Sequence, residues 1–251
     1  MPAKAAAKST AKRPRRARGS LSREEILDAA YQLVEHEGLR ALSMPVLARH
    51  LKAGVTSIYW YFRSKDDLVM ALAERVAEDL YGRLPPVGDG PWEDEVVQYF
   101  TAFRNELRRA PIYLELFASR PRFVFSRPRV SAIVSRRLED EVAAFARAGL
   151  RAEDAARIYS VCSIFTRGCV LFEHAERVEE AEGDGAVHKD VRDALARLDP
   201  DEFPHLRQIE FDRVMSAGDD ELFQLGLRLL IEGIRVTVTA APRGRAGRRR
   251  R

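Results

Sequence analysis

The break at Gly54 constrains the fold of this chain more than any other feature of its sequence. Before the break, Ser43 can cap a helix of about two turns, and Pro45 stands in its first turn, where a missing N–H costs little. After the break, a second short helix starts at once and extends to about Phe62. A longer helix precedes the pair. Two short helices that are joined by a tight glycine-containing turn and packed on such a helix predict a helix-turn-helix.

The segments on either side carry the cap signals of two longer helices. Ser22 and Glu25 have the spacing of a capping box, and Gly38 is placed to end the first helix. Ser64, followed by Asp67, opens the second helix through "SKDDLVMALAERVAEDLYGRL". The predicted buried face of the first helix consists of Ile26, Ala29, Ala30, Leu33 and Val34.

Four consecutive aromatic residues, Tyr59 to Phe62, end the second short helix. At about 100° per residue, Val55, Ile58 and Phe62 share one arc and face the core, with Tyr59 at its edge. The residues that face the opposite way are Thr56, Ser57, Trp60 and Tyr61. Folding does not require exposed aromatic rings at Trp60 and Tyr61, so this face predicts contact with another molecule.

The distribution of charged residues around this face also predicts contact with another molecule. From Gly38 to Lys65 the chain has five basic residues and no acidic one. The five are Arg40, Arg49, Lys52, Arg63 and Lys65. An acid-free zone of this kind predicts a footprint for phosphate; the alternative is an accidental run of charge on a solvated face.

Both ends of the chain are strongly basic. Residues 1–19 and 241–251 contain 13 of the 42 basic residues and no acidic residue, so the intervening part carries 29 basic against 38 acidic residues. Such arms are expected to be disordered when free and to bind nucleic acid or an anionic membrane, or else to have no specific role. No apolar run reaches the length of a membrane span, and the N-terminus lacks the apolar segment of a secretory signal.

Residues 20–82 resemble the DNA-binding domain of the tetracycline-repressor (TetR) family. The resemblance is carried by "ILDAA", "LARHL" and "SIYWYFRSKDDLV", in the family's order and spacing. One departure is Lys52, which stands where the family usually has glycine and can add a phosphate contact. The resemblance implies that the third helix enters the major groove, where base contacts specify the site and phosphate contacts position the protein. The candidate DNA-binding residues are Ser43, Val55, Thr56, Ser57, Tyr59, Trp60, Tyr61 and Lys65.

Residues 92–240 are predicted to be helical, apart from a proline-marked segment at 111–128 and a loop with one short helix at 179–218. Two of the helices have seams of apolar or small residues that step by three and four. A helix that is apolar on two adjacent faces must bury both, which predicts a homodimer through a four-helix bundle; the alternative is a pair of core helices in a monomer. "IFTRGCVLFEH" and "FQLGLRLLIEGI" resemble the dimerisation helices of the same family. The candidate interface residues are Ile158, Phe165, Leu222, Gly226, Leu229 and Gly233.

Seven of the 21 aromatic residues fall within residues 99–125, where they can line an apolar pocket or form plain core. The resemblance implies an inducer site here, and "ASRPR" is similar to the stretch near the tetracycline-binding loop. The histidines that hold magnesium and drug in that loop are absent, with Leu116 standing where one is expected. We therefore expect no metal and no cofactor. The candidate ligand-binding residues are Phe103, Tyr113, Phe117, Phe123, Phe165, Cys169 and His174.

An enzyme is not expected from this sequence. It contains no phosphate-binding loop, zinc-ligand spacing or G-x-S-x-G motif, and its five histidines form no visible cluster. The two cysteines, Cys162 and Cys169, predict a reduced, cytoplasmic chain, with a thiol switch as a narrower possibility.

We therefore expect an all-α protein with basic arms at 1–19 and 241–251. An N-terminal three-helix helix-turn-helix domain at 20–82 would bind DNA, and a C-terminal helical domain at 83–240 would bind ligand and dimerise. The resemblance implies a bacterial repressor that acts as a homodimer on a palindromic operator and is released by a small apolar effector. The alternative is an architectural or thiol-switched DNA-binding protein without an effector.

Overall fold

The computed structural model of the chain describes residues 21–86, 88–118, 128–147, 149–182, 193–209 and 220–240. Both basic arms and Phe123 lie outside these ranges. Within them the chain forms helices and connecting turns without a strand, so the expected all-α fold is confirmed. The chain divides into two compact units, the first ending at Leu72 and the second beginning at Ala73.

Four helices begin in the first unit. They are α1 (Arg23–Glu37), α2 (Met44–His50), α3 (Val55–Tyr59) and α4 (Lys65–Arg83). The division into units falls within α4, and the boundary expected at residues 82–83 lies at the end of that helix. The fully buried side chains of the first unit include Ile26, Ala30, Val34, Leu42, Leu47, Ile58 and Leu68.

The predicted capping box starts α1. The backbone N–H of Glu25 donates to Oγ of Ser22 at 3.0 Å, and the backbone N–H of Ser22 donates to Oε2 of Glu25 at 2.9 Å. The helix ends where Gly38, with φ of 78°, donates its N–H to the carbonyl oxygen of Val34 at 2.9 Å. Two otherwise unpaired donors at the helix start are thus satisfied, and α1 presents its apolar face to the core.

The turn between α2 and α3 contains a lysine in left-handed backbone conformation. Lys52 has φ of 52°, a region that glycine adopts freely and that other residues enter at a cost. The N–H of Ala53 donates to the carbonyl oxygen of Ala48 at 2.9 Å, which closes α2 at this point. The turn therefore holds Lys52 in the left-handed conformation at the position where the family resemblance implies glycine.

The second unit contains the remaining helices. They are α5 (Trp92–Arg109), α6 (Pro111–Tyr113) with the π-helical turn Leu114–Ala118 that follows it, α7 (Pro128–Arg147), α8 (Ala152–Glu182), a single turn at 193–196, the 3₁₀ turn Leu206–Gln208 and α9 (Asp220–Ala240). Residues 179–182, predicted to begin a loop, belong instead to α8, which continues to Glu182.

Helix α8 is the centre of the second unit, because α5, α7 and α9 all pack against it. It is also the one helix among the described residues that is long and apolar enough to cross a membrane by those two criteria. A core helix of a globular protein has the same length and composition, and one side of α8 is buried at Ala155, Ile158, Cys162 and Val170. The packing of α8 thus accounts for the apolar residues on this side of the helix, and 33% of its most apolar stretch is buried.

Candidate functional site

Helix α3 and the residues that follow it have a buried apolar side and an exposed side of polar and aromatic residues. Ile58 and Phe62 are 0% and 2% exposed and anchor the segment, while Thr56 and Ser57 are exposed and Val55 is half-buried. Trp60, at 85% exposed, has the most exposed ring in this segment, and Tyr59 is 46% exposed. The buried and exposed positions follow the arcs expected from the helical period.

Tyr61 differs from Trp60 in one respect. Its ring is partly exposed and meets Trp60 edge-to-face, with ring centroids 6.1 Å apart. Its hydroxyl, however, donates a hydrogen bond to the backbone carbonyl oxygen of Leu21, at the start of the unit. The ring of Tyr61 is therefore presented on the surface while its hydroxyl is held by the fold.

The basic residues around this surface are exposed and are not neutralised by nearby acids. All five, Arg40, Arg49, Lys52, Arg63 and Lys65, are exposed, and none forms an ion pair with another residue that the structure describes. Ser43 is half-buried, and its Oγ accepts a long hydrogen bond, 3.4 Å, from the N–H of Val46 at the start of α2. Exposed cations without acidic partners beside a helix with free polar groups form a surface that suits a polyanion.

The interior of the second unit is rich in aromatic rings, as the sequence predicted. Phe103, Tyr113 and Phe117 are fully buried. Phe103 stacks on Tyr99 with centroids 6.3 Å apart, and Tyr113 is hydrogen-bonded to Asp79 and to Arg109. Of the other ligand candidates that the structure describes, Phe165, Cys169 and His174 are half-buried on α8. Tyr113 and Phe117 therefore lie in the core between α4 and α6, and Phe103 lies closer to α8.

A group of buried polar side chains lies among these rings, and the sequence analysis did not identify it. We call it the polar core cluster: Tyr81, Tyr99, Glu141, Ser163 and Arg167. Each has a buried nitrogen or oxygen atom without a hydrogen-bond partner of good geometry among the described residues. Buried polar groups are nearly always paired in native proteins, so this concentration within one unit marks a candidate site.

Electrostatic effects connect the members of the polar core cluster. Burial raises the pKa of Tyr81, and the nearby Arg167 acts to lower it. Burial raises the pKa of Tyr99 much further, with added contributions from Tyr159, Glu141 and Tyr81. These mutual effects place side chains of α4, α5, α7 and α8 around one region of the core.

Glu141 is the most buried member of the cluster, at 1% exposed. Its burial raises the carboxyl pKa to about 8, although hydrogen bonding from Tyr99 and the charge of Arg137 act to lower it. Nε of Arg137 donates to Oε1 of Glu141 at 3.2 Å, and its Nη2 donates to the carbonyl oxygen of Pro85. Sequence periodicity contained a signal for this residue, because Glu141 falls on the face of α7 that buries Val130, Val134 and Phe145.

A second set of charged residues joins three helices. Arg104 on α5 pairs with Glu173 on α8 and, through Nη1, with Asp220 at the start of α9, at 2.7 Å in each case. Arg108 contacts the same two acids at 3.0 and 3.1 Å. The guanidinium of Arg104 also lies 4.4 Å from the ring centroid of Phe223. These contacts link α5, α8 and α9.

Apart from Leu206 and Ile209 at the 3₁₀ turn, the exposed large apolar residues described in the second unit lie on α8 and α9. On α8 they are Val161, Ile164, Leu171, Phe172 and Val178, and on α9 they are Leu225, Leu229 and Val236. Gly168 and Gly233 are exposed beside them and have open space where a Cβ would stand. We call this set the apolar seam. It contains Leu229 and Gly233 of the predicted interface, and Leu222 is half-buried at its edge.

Two of the predicted interface residues lie elsewhere. Ile158 is fully buried within its own chain, so its side chain has no surface to offer a second copy. A Cβ at Gly226 would lie 2.5 Å from Cζ of Phe165, whose ring stacks on Phe223 with centroids 5.5 Å apart. Ile158 is therefore covered by its own chain, and Gly226 makes room for Phe165 of the same chain.

The thiols are not placed for redox chemistry. Cys162 is fully buried, which raises its pKa to about 12. Cys169 is half-buried, and burial raises its pKa although Arg104 acts to lower it. Among the described residues, no group of three histidine, cysteine, aspartate or glutamate side chains could hold a metal ion.

Two family descriptions match the chain, one for each unit. Residues 26–72 match "Bacterial regulatory proteins, tetR family", and residues 84–238 match "Tetracyclin repressor-like, C-terminal domain". The HTH-type transcriptional repressor Rv1353c of Mycobacterium tuberculosis is 32% identical over 224 residues, which cover 88% of this chain and 83% of the relative. Tetracycline repressor protein class A of Escherichia coli is 26% identical over 209 residues, covering 83% of this chain and 88% of that protein.

Solved structures give the same fold. Apo ActR from Streptomyces coelicolor superposes with a TM-score of 0.68 at 24% identity, covering 90% of this chain and 100% of that chain. A possible TetR family transcriptional regulator from Streptomyces coelicolor A3(2) superposes with a TM-score of 0.65 at 27% identity, covering 86% and 100%.

Proposed function

Because the chain belongs to the tetracycline-repressor family of transcriptional regulators, which are not enzymes, we propose that it represses transcription as a homodimer on a palindromic operator. A small effector then releases it from DNA. The observation that carries the proposal is the surface of α3, where exposed hydroxyl and aromatic side chains stand among five unpaired cations.

The proposed contacts divide into two kinds. Thr56, Ser57 and Trp60 on or next to α3 meet base edges, thymine methyl groups or sugars, with Val55 adding apolar contact. Tyr59 and Lys65 hold phosphates, as does Ser43 with the N-terminus of α2. Tyr61 contributes its ring rather than its hydroxyl, because that hydroxyl is bonded to Leu21.

The apolar seam supports the homodimer. Ile164 and Phe172 on α8 are 70% and 61% exposed, and Leu229 and Val236 on α9 are 63% and 64% exposed. Large apolar side chains exposed along two packed helices are typical of an interface that a second copy covers. Paired seams would build a four-helix bundle from α8 and α9 of each chain, with Gly168 and Gly233 permitting close approach.

We assign residues 20–82 to DNA binding and residues 83–240 to effector binding and dimerisation. The two arginine-rich arms, residues 1–19 and 241–251, would add sequence-independent attraction to the phosphate backbone. Their removal should weaken binding and reduce its salt dependence while the choice of sequence stays the same.

Selection of bound fragments from random DNA by the full chain, at near-physiological salt, tests the proposal. We expect an inverted repeat whose half-sites are separated by a whole number of helical turns, about 10.5 base pairs each. Unrelated sequences, with affinity that collapses as salt rises, would contradict it and would favour an architectural role for the arms.

The chain offers a matched pair of variants for this experiment. It contains two tryptophans, Trp60 beside α3 and Trp92 at the start of α5. Trp60→Ala should lower affinity for the selected operator by about tenfold or more, since one good base or stacking contact contributes 1.4 kcal/mol or more. Trp92→Ala should leave that affinity unchanged.

A further inference from the structure

The side chains of the polar core cluster are buried, but their hydrogen bonding is incomplete. Tyr81, Tyr99, Ser163 and Glu141 are 6%, 3%, 2% and 1% exposed, and each holds a polar atom without a hydrogen-bond partner of good geometry among the described residues. Tyr99 lies beside Glu141, and Tyr81 lies beside Tyr159 and Arg167. A buried polar atom left unpaired costs about 1–3 kcal/mol. Four such atoms within one unit, close to one another, offer hydrogen-bonding groups that a polar ligand group could use.

The charge of the cluster is unbalanced. Nε of Arg167 has no hydrogen-bond partner, and the guanidinium forms no ion pair with any residue in the described part of the chain. It lies 5.4 Å from the ring centroid of Phe103 instead. The nearest acid further along the same helix is Glu173, and that carboxylate is already engaged by Arg104 and Arg108.

Glu141 does not balance this charge. Its carboxyl is paired with Arg137, which also donates to Pro85. Burial favours the neutral form of the acid at physiological pH, since its pKa is raised to about 8. With Glu141 neutral, the region carries positive charge from Arg167 and from Arg137, which lies 5.3 Å from the ring centroid of Tyr99. It also has the hydroxyl groups of Tyr81 and Tyr99 and a ring at Phe103.

From this arrangement we propose that the polar core cluster is the recognition end of the effector site and that the effector is an aromatic molecule with a carboxylate or similarly acidic group, which pairs with Arg167. The neighbouring hydroxyls of Tyr81 and Tyr99 donate to the same group, and Phe103 packs against its ring. The inference rests on the proposed effector response and adds the chemical class of the effector. A guanidinium suits a planar carboxylate because it can donate two parallel hydrogen bonds.

Matched acids and amides test the charge requirement. The full-length protein is titrated with benzoate, cinnamate, 2-naphthoate and anthracene-2-carboxylate, and with the carboxamide of each, while thermal unfolding and release of selected operator DNA are measured. At least one carboxylate should bind about tenfold or more tightly than its amide, as expected for a charge-assisted pair. Binding by none of the carboxylates, or equal binding of acid and amide, would overturn the proposal.

Variants of Arg167 test whether this side chain causes the preference for the carboxylate over the carboxamide. In Arg167→Gln the preference for acid over amide should fall below about threefold, and Arg167→Lys should keep most of it. Arg157→Gln is the matched control, since Arg157 lies on the same helix and is 71% exposed. A preference that survives in Arg167→Gln would overturn the assignment.

A stability measurement separates this role from a purely structural one. Arg167→Met removes a half-buried charge that forms no ion pair with a described residue, so it should unfold at the same temperature as the wild type or higher while losing the response to carboxylates. Marked destabilisation of this variant would show that Arg167 supports the fold instead. Loss of the effector class leaves the DNA-binding proposal standing, because operator selection is performed without ligand.

Discussion

Arg104 and Glu173 form an ion pair from which solvent is almost fully excluded, with 2% and 3% of their side chains exposed and 2.7 Å between Nε and Oε1. The pair joins α5 to α8, and Asp220 brings α9 to the same guanidinium. A buried ion pair adds little net stability over apolar residues of similar size, yet removal of one partner is costly. Removal of either partner should therefore strongly destabilise the packing of these three helices.

Glu173→Gln should lower the free energy of unfolding by about 3 kcal/mol, because the buried Arg104 then loses its buried counter-ion while Asp220, the other acid paired with it, is 77% exposed. Urea denaturation at a fixed protein concentration measures this. Glu153→Gln is the control, since its pair with Arg151 is 68% and 64% exposed and should contribute less than about 1 kcal/mol. Equal losses in the two variants would show that burial does not set the strength of the Arg104 pair.

Gly226 and Gly233 provide a test of the apolar seam. Gly226→Ala should destabilise the chain by about 1 kcal/mol even after the gain in helix propensity, because its Cβ would meet Phe165. The second change, Phe165→Leu, should offset part of that loss. Gly233→Ala has open space within the chain, so it should leave the fold at least as stable and weaken dimerisation instead. Sedimentation across a concentration series measures the strength of dimerisation. Dimerisation of Gly233→Ala as strong as that of the wild type would argue against close helix approach there.

Tyr61 and Trp60 should respond differently to mutation. Tyr61→Phe removes the hydroxyl that bonds the carbonyl oxygen of Leu21, so it should lower stability by about 1 kcal/mol and change operator affinity less than threefold. Trp60→Ala should have the reverse profile, with little change in thermal unfolding and a large loss of affinity. A large loss of affinity in Tyr61→Phe would mean that the hydroxyl leaves Leu21 to contact DNA.

Glu141 should make stability depend on pH. Its pKa is raised from 4.5 to about 8 in the folded chain, so the folded state holds a proton that the unfolded state releases. The resulting stability is full below pH 4.5 and is lost as pH rises towards 8. Glu141→Gln cannot lose this proton, so its stability relative to the wild type should rise by a few kcal/mol between pH 5 and pH 8. A constant difference across this range, in urea denaturation at each pH, would show that Glu141 is ionised in the fold.

The native thiols should react slowly. At pH 8 the thiolate fraction of Cys162 is about 1 in 10,000 because its pKa is about 12, and the side chain has no exposed surface. Iodoacetamide should therefore leave Cys162 unlabelled over a period that labels the urea-unfolded chain fully, with Cys169 reacting slowly. Rapid labelling of either cysteine in the native protein would revive the thiol switch.

The first unit could be predicted in detail from sequence because its signals are local. The Ser22–Glu25 capping box, the break at Gly54 and the burial of Ile58 and Phe62 all follow from residues within one or two turns of each other. The bond from Tyr61 to Leu21 could not be predicted, since it joins residues 40 positions apart and depends on how α1 and α3 pack.

The second unit was less predictable because several of its helices have more than one plausible buried face. On α8 the stripe through Ile158 and Cys162 and the stripe through Val161 and Ile164 both step by three or four residues, as a helix face does, and only packing decides which is covered. Periodicity also assigns charged residues to solvent by default, so Arg104 and Glu141 were not recognised as core residues. Their partners lie on other helices, beyond the reach of a local pattern.

Lys52 shows how selection can act on a single position of the turn. Its left-handed backbone would be relaxed by glycine, which adopts φ of 52° without penalty. Random mutation should therefore repeatedly generate a more stable chain with glycine here. In a saturation library sorted once for folded protein and once for repression, glycine should rise in the first sort. If lysine is nevertheless retained in the sort for repression, its charge is needed at this position although glycine suits the backbone conformation better.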